Sequence, residues 1–247
     1  MRELIHVPLI HSIQYSQYED KLTSDSSDVN FQSYTALSSE FWSLTNSLVK
    51  RMTYPRVRVF HDGYFGETMS IKGATQVERV LTPVFGELAT RGGIVPDLEP
   101  IYILAENCDE VIMQKLEDRA LLRITLMNMY QENQTRVFFA SQVNSIPEHE
   151  DIPDEVFKPY QDKLRAIFHQ RATVVDQRDQ GIRLVINENL EDSSKETGIL
   201  FMGGEHNAHL GLKPDIKVTP LDRNHSQLAA AGVSFIRQQR DEVLFLS

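Results

Sequence analysis

Short apolar runs alternate along the chain with longer amphipathic segments. The first run, residues 3–10 (ELIHVPLI), is nearly continuous and rich in β-branched residues, which is typical of a strand buried on both faces. The same pattern predicts further strands at 56–66, 100–107, 198–204 and 215–221. A β-hairpin is the rival interpretation of residues 56–66, because that run closes on His61, Asp62 and Gly63.

Between these runs, apolar residues recur every three or four positions, which predicts amphipathic helices. The predicted helices cover 37–52, 75–88, 109–129, 154–168 and 174–190. Residues 136–153 fit either an extension of the third helix or a strand, and both remain open. The alternation of strands and helices predicts an α/β fold, in which helices cover both faces of a mostly parallel sheet to give three layers.

A chain of 247 residues is long enough to bury one large core. We therefore expect a single α/β domain over residues 1–247. Residues 14–33 are polar, rich in Ser and Asp and only weakly periodic, so they are predicted to form a long loop.

Charge and composition narrow the range of partners. A net charge of −10 opposes binding to nucleic acids and to acidic membrane surfaces. No apolar run approaches the 18 or so residues of a membrane-spanning helix, and the N-terminus does not resemble a signal peptide. Cys108 is the single cysteine, so the chain forms no internal disulfide and no cysteine-rich zinc site. These features lead us to expect a cytoplasmic protein.

Ionisable residues follow four of the predicted strands. They are His11 after the first, His61 and Asp62 after the second, Glu106 after the third, and Glu205 and His206 after the fourth. Ligands of open α/β sheets bind outside the carboxyl ends of the strands, so we expect these side chains to converge there. A simpler interpretation is that the end of any strand turns polar.

Histidine and carboxylate side chains suit zinc, manganese, cobalt or iron, and such ions activate water. We therefore expect His11, His206 and a carboxylate, either Glu106 or Asp62, to bind a divalent metal ion. Asp62 is alternatively a substrate-binding residue. Adjacent Glu205 is the expected general base.

Two glycines, Gly203 and Gly204, precede Glu205 and allow the chain to turn tightly or to approach a substrate closely. The sequence contains no phosphate-binding glycine motif of the dinucleotide or P-loop type, so a nucleotide cofactor is not predicted. His209 and His225 are lesser candidates outside this set.

Arg178 is the expected partner of a substrate anion, since its planar guanidinium matches a carboxylate or phosphate. It lies at the start of a predicted helix, between Asp176 and Asp179. The alternative is a solvated helix face with local ion pairs.

Residues 203–206 (GGEH) and the upstream segment 176–190 resemble the C-terminal half of the TraB, TIKI and erythromycin-esterase group. The shared order is an arginine-containing helix, a short linker, an apolar strand and a Gly-x-x-His motif. In that group two such motifs, an acidic residue and an arginine gather at one site, and TIKI members are metal-dependent proteases. The resemblance covers about residues 175–221.

By position, the resemblance implies that Gly203 and His206 form the second motif and that Arg178 is the arginine. His11 stands where the first motif belongs, and there Pro8 replaces the family glycine. Glu67 or Glu106 is the implied acidic residue.

Two classes of function follow from these residues. The first is a metal-dependent hydrolase that acts on a small-molecule or peptide substrate. The second is a non-catalytic protein that binds a small molecule, or acts as a regulator, through the same crevice without a metal.

Overall fold

The computed structural model describes residues 1–9, 27–90, 98–147, 152–192, 194–203, 206–207, 209 and 211–244. Six strands form one sheet in the order β3-β4-β2-β5-β1-β6. Their bounds are β1 Arg2–Leu9, β2 Arg56–His61, β3 Met69–Ile71, β4 Glu110–Gln114, β5 Thr197–Gly203 and β6 Ile216–Pro220. All neighbours are parallel except β3, which pairs antiparallel with β4 at one edge.

Six α-helices accompany these strands in the described part of the chain. Their bounds are α1 Ser27–Val49, α2 Val77–Thr90, α3 Glu99–Asn107, α4 Arg119–Val143, α5 Asp154–Asn189 and α6 Arg223–Leu244. The predicted α/β fold, with a mostly parallel sheet and helices packed around it, is confirmed.

The chain divides into two compact units. The first contains residues 1–117 and 181–247, and the second contains residues 118–180. The expectation of a single domain over 1–247 remains a prediction.

In the first unit, β5 lies between β1 and β2, and all seven of its residues are buried. On one face of the sheet, Leu200 and Met202 join a cluster with Ile182 and Ile186 of α5 and with Leu190, which directly follows that helix. On the other face, Phe201 stacks against His61, which also meets the ring of Phe85 in α2 edge-on. Both faces of β5 are therefore covered, as its unbroken apolar run predicts.

The second unit is a helical hairpin of α4 and the first part of α5. Phe139 of α4 stacks on Tyr160 of α5 with ring centres 3.8 Å apart. Further along, Arg171 of α5 approaches Glu132 of α4 at 3.5 Å. These contacts identify the face of α4 that packs inward.

The predicted strand at 100–107 is wrong, because these residues form α3. Pro100 lies in its first turn, and Pro100, Ile101, Leu104 and Ala105 make its buried side. A short apolar run fits a buried helix as well as a strand, and the helical interpretation was the correct one here. The missed strand is β4, at 110–114, within the stretch predicted as a helix from Asp109. The helix begins only at Arg119, where Asp118 accepts hydrogen bonds from the backbone of Ala120 and Leu121.

Other boundaries also differ from the predictions. Residues 154–189 form one continuous helix rather than two. Residues 136–143 extend α4, which resolves the first half of the ambiguous segment. The hairpin interpretation of 56–66 is wrong, since β2 pairs in parallel with β4 and β5. Within the predicted loop at 14–33, residues 27–33 begin α1, and residues 14–26 lie outside the described residues.

Candidate functional site

The carboxyl ends of three neighbouring strands bring together buried ionisable side chains. His61 ends β2 and Asp62 follows it, His206 comes three residues after β5, and Glu117 comes three residues after β4. All four side chains are buried, with 1–8% of each residue exposed. Because β4, β2 and β5 are adjacent, these residues lie at one edge of the sheet.

Asp62 and His206 form the centre of this cluster. Asp62 Oδ2 lies 3.7 Å from His206 Nε2. The Gly203 amide donates to the same carboxylate oxygen at 3.3 Å, and the Asp62 amide donates to the Phe201 carbonyl at 2.8 Å. The His206 amide donates to the Gly203 carbonyl at 3.0 Å, which ties His206 to the end of β5. Backbone hydrogen bonds from the two central strands therefore position this acid–histidine pair.

His61 ends β2, and the loop that follows it approaches Glu117. His61 Nδ1 lies 2.6 Å from the Asp62 carbonyl, so this nitrogen carries the donated proton. Gly63 has a φ of 86°, a left-handed conformation that glycine adopts without strain. Its amide points to Glu117 Oε1 at 3.5 Å. The turn thus sets a second buried carboxylate beside the loop that carries Asp62.

Tyr64 connects the loop after β2 to the segment after β4. The Tyr64 carbonyl accepts hydrogen bonds from the amides of Leu116 and Glu117, each at 3.1 Å, which ties the end of β2 to the end of β4. Burial, with a smaller contribution from the charge of Glu67, raises the pKa of Tyr64 to about 12. Its hydroxyl donates to the Glu67 carbonyl at 2.8 Å. Tyr64 therefore keeps its proton near neutral pH and has a structural role.

Several predicted site residues belong to this cluster and several do not. Gly203, Asp62 and His206 meet at the carboxyl edge, and their roles in binding a metal or a substrate remain predictions. Glu106 is exposed in α3, only four residues before β4 begins, so it lies towards the amino ends of the strands. The strand that made Glu106 a ligand candidate does not exist, and Glu106 has no part in the proposed site.

The remaining predicted residues lie elsewhere. Arg178 is 5% exposed in α5, within the second compact unit, and neighbouring Asp179 is also buried. The interpretation of Arg178 as part of a solvated helix face is therefore wrong, and its role towards a substrate anion remains a prediction. His11, Gly204 and Glu205 lie outside the described residues, so their predicted roles are untested.

Glu117 is the buried acid that the sequence analysis missed. It follows β4 as Asp62 follows β2, so the rule of polar residues after strands applies to it as well. Recognising EVIMQ at 110–114 as a strand would have identified it.

A second histidine group lies in the first unit. The rings of His6 in β1 and His209 stack with centres 4.3 Å apart. Burial lowers the pKa of His6 to about 3, and the neighbouring His209 and His225 lower it further in the same direction. The His225 side chain lies 2.8 Å from the Thr45 hydroxyl. Stacked rings do not aim their nitrogens at one ion, so we assign this group to packing.

The cluster supplies only some of the ligands that a metal ion needs. In the ranges that the structure describes, no group of three or more His, Cys, Asp or Glu side chains is arranged to hold a metal ion. Asp62 and His206 supply one oxygen and one nitrogen ligand of the expected kind. Two ligands about 2.1 Å from a common ion at a tetrahedral angle lie about 3.4 Å apart, close to the distance in this pair.

Comparison with protein-family models, with curated proteins and with solved structures finds no match to this chain. Among the helices described, none combines the length and the apolar character needed to cross a membrane.

Proposed function

We propose that the protein is a metal-dependent hydrolase whose reaction centre is the Asp62–His206 pair at the carboxyl ends of β2 and β5. The observation that carries the proposal is the 3.7 Å gap between the carboxylate oxygen and the imidazole nitrogen of two buried side chains. Glu117 and His61 are further buried ionisable residues at the carboxyl ends of the neighbouring strands.

The length of this gap supports a shared metal ligand rather than a direct hydrogen bond between the two side chains. A charge-assisted hydrogen bond between imidazole and carboxylate is usually about 2.7–2.9 Å long. Burying two ionisable groups costs free energy that such close contact offsets, so a purely structural pair gains from closing. A separation of 3.7 Å is close to the distance of about 3.4 Å between two tetrahedral ligands of one metal ion.

In this proposal His206 Nε2 and Asp62 Oδ2 bind the ion, and His11 is the expected further ligand from the sequence. A bound zinc, manganese, cobalt or iron ion supplies Lewis acidity and lowers the pKa of water. The Gly203 amide donates to the Asp62 carboxylate, and the His206 amide donates to the Gly203 carbonyl, so both residues are held at the end of β5. Glu205 is the proposed general base, from the sequence.

Metal content tests the proposal. The protein is purified without chelators, dialysed with a small excess of each of the four metals, and analysed by elemental mass spectrometry. We expect about one ion per chain in the wild type and in His169→Ala, a control at an exposed histidine of α5. We expect a loss of bound metal in His206→Ala and a marked loss in Asp62→Asn.

A wild type without metal that still binds small molecules at this edge would favour the non-catalytic alternative. Equal metal content in His206→Ala and His169→Ala would exclude His206 as a ligand.

A further inference from the structure

The outer side of α4 exposes a row of large apolar side chains, which we call the α4 stripe. Its members and their exposed fractions are Ile124 36%, Met127 52%, Tyr130 64%, Val137 47% and Phe138 67%. At 100° per residue they lie within an arc of about 140°, and the stripe runs for about 21 Å along the helix. The opposite side of α4 packs on α5 through Phe139. The stripe is therefore an apolar surface that the hairpin itself does not bury.

We propose that the α4 stripe is a dimer interface that pairs with the same stripe of a second copy, with the two helices antiparallel. This inference is independent of the proposed hydrolase function.

The size of the stripe fits such an interface. If each large side chain carries roughly 200 Å² of surface, the exposed fractions amount to about 500 Å² per chain. Pairing two copies then buries about 1,000 Å² before the polar residues of the rim are added. This area reaches the lower bound of about 1,000 Å² for a specific interface.

The charge of the stripe favours a second copy over other partners. The chain carries a net charge of −10, so most of its surface repels a second copy. Over the whole length of α4, the polar residues within the arc are Gln131, Gln134, Ser141 and Gln142, and Arg119 and Arg123 are its ionisable members. Two copies therefore meet here without facing carboxylates, whereas an acidic membrane surface would meet two basic residues, both near the first turn of the helix.

The stripe is also complementary to itself when one helix is reversed. We place the two-fold axis between Tyr130 and Gln131. Residue n of one copy then lies at the same level along the helix as residue 261 − n of the other copy. Met127 is then level with Gln134 near the middle of the stripe, and Arg123 is level with Phe138, where a guanidinium can lie over an aromatic ring. A symmetric dimer requires this isologous matching of one patch with itself.

Sedimentation velocity over a concentration series tests the interface. We expect the wild type to be dimeric and Phe138→Glu to raise the dimer dissociation constant by at least about 30-fold, the effect of losing one aromatic anchor. Met127→Glu is a second disrupting variant, in case the first fails to fold. Leu184→Glu is the matched control, because Leu184 is 61% exposed but lies in the first compact unit. It should dimerise like the wild type.

Cysteine cross-linking tests the antiparallel arrangement. The single native cysteine, Cys108, is buried, so a covalent dimer formed by a variant is attributed to its introduced cysteine. Under mild oxidation Gln131→Cys, beside the axis, should give a covalent dimer, and Gln170→Cys on the exposed side of α5 should not. A monomeric wild type, a dimer insensitive to both glutamate substitutions, or equal cross-linking at the two cysteines would overturn the proposal.

Discussion

Acidification should destabilise the protein through His225, whose ring is buried between α1 and α6. The Thr45 hydroxyl donates to the Phe41 carbonyl at 2.8 Å, so its oxygen is left to accept a hydrogen bond from His225 Nε2–H at 2.8 Å. This contact assigns the proton of the neutral ring to Nε2. His225 Nδ1 is buried and has no hydrogen-bond partner among the described residues. Protonation would therefore place a second N–H where no described acceptor is available.

The size of the effect follows from the pKa of His225. Burial lowers this pKa from 6.5 to about 4, against a weaker opposing effect of Asp222. The unfolded chain then binds the proton more tightly than the folded chain. The contribution of neutral His225 to the unfolding free energy is fully present above pH 6.5 and is lost as the pH falls from 6.5 towards 4. At pH 5 the loss from His225 alone is about 2 kcal/mol, and the lowered pKa of His6 adds to it with the same sign.

Urea unfolding at pH 7 and pH 5 measures this loss, with His225→Gln as the test variant. Glutamine retains a side-chain N–H donor for Thr45 but does not titrate. Between pH 7 and pH 5, the variant should lose about 2 kcal/mol less unfolding free energy than the wild type. His169→Gln, a control at an exposed histidine, should lose as much as the wild type. Equal losses in the wild type and His225→Gln would refute the argument.

Three further predictions concern the sheet and the site. Arg58 Nε donates to Glu196 at 2.7 Å inside the sheet. Because Arg58→Met leaves the Glu196 carboxylate buried without this partner, it should cost about 3–5 kcal/mol of unfolding free energy, measured by denaturant titration. Adding Glu196→Gln should recover part of that loss. A Cβ at position 198 would lie 2.7–2.8 Å from two leucine methyl groups. Gly198→Ala should therefore cost about 1–3 kcal/mol of unfolding free energy in the same assay. An unchanged denaturation midpoint would disprove the crowding. In hydrolysis assays Glu106→Gln should retain wild-type turnover, whereas Glu205→Gln should lose about 10²- to 10⁴-fold while keeping its metal.

The sequence predicts the sheet well where strands are central and long. Residues 198–203 and 3–9 lie in β5 and β1, and their unbroken apolar runs reflect burial on both faces. It fails at 100–114, where two short apolar segments follow one another. The first has Pro100 in its opening turn and forms a helix, and the second forms β4. Segments of this length carry too few residues for periodicity to separate a strand from a buried helix.

The candidate site could be predicted only in part, for a related reason. Asp62 and His206 are found because polar residues directly follow recognisable strands. Glu117 is missed with β4, and Glu106 is chosen because of a strand that does not exist. The placement of β5 between β1 and β2 sets the two site residues side by side. This pairing joins segments more than 100 residues apart, and no local pattern encodes it.

Metal-dependent hydrolysis by the Asp62–His206 pair is the central claim, and turnover before and after chelation tests it most directly. The wild type, His206→Ala and His169→Ala are assayed on a panel of ester, amide and phosphoester substrates. We predict turnover of at least one substrate class by the wild type and His169→Ala, its loss after chelation and its return when metal is added back. His206→Ala should be inactive throughout although it is folded. Chelator-resistant turnover, or full activity of His206→Ala, would contradict the account.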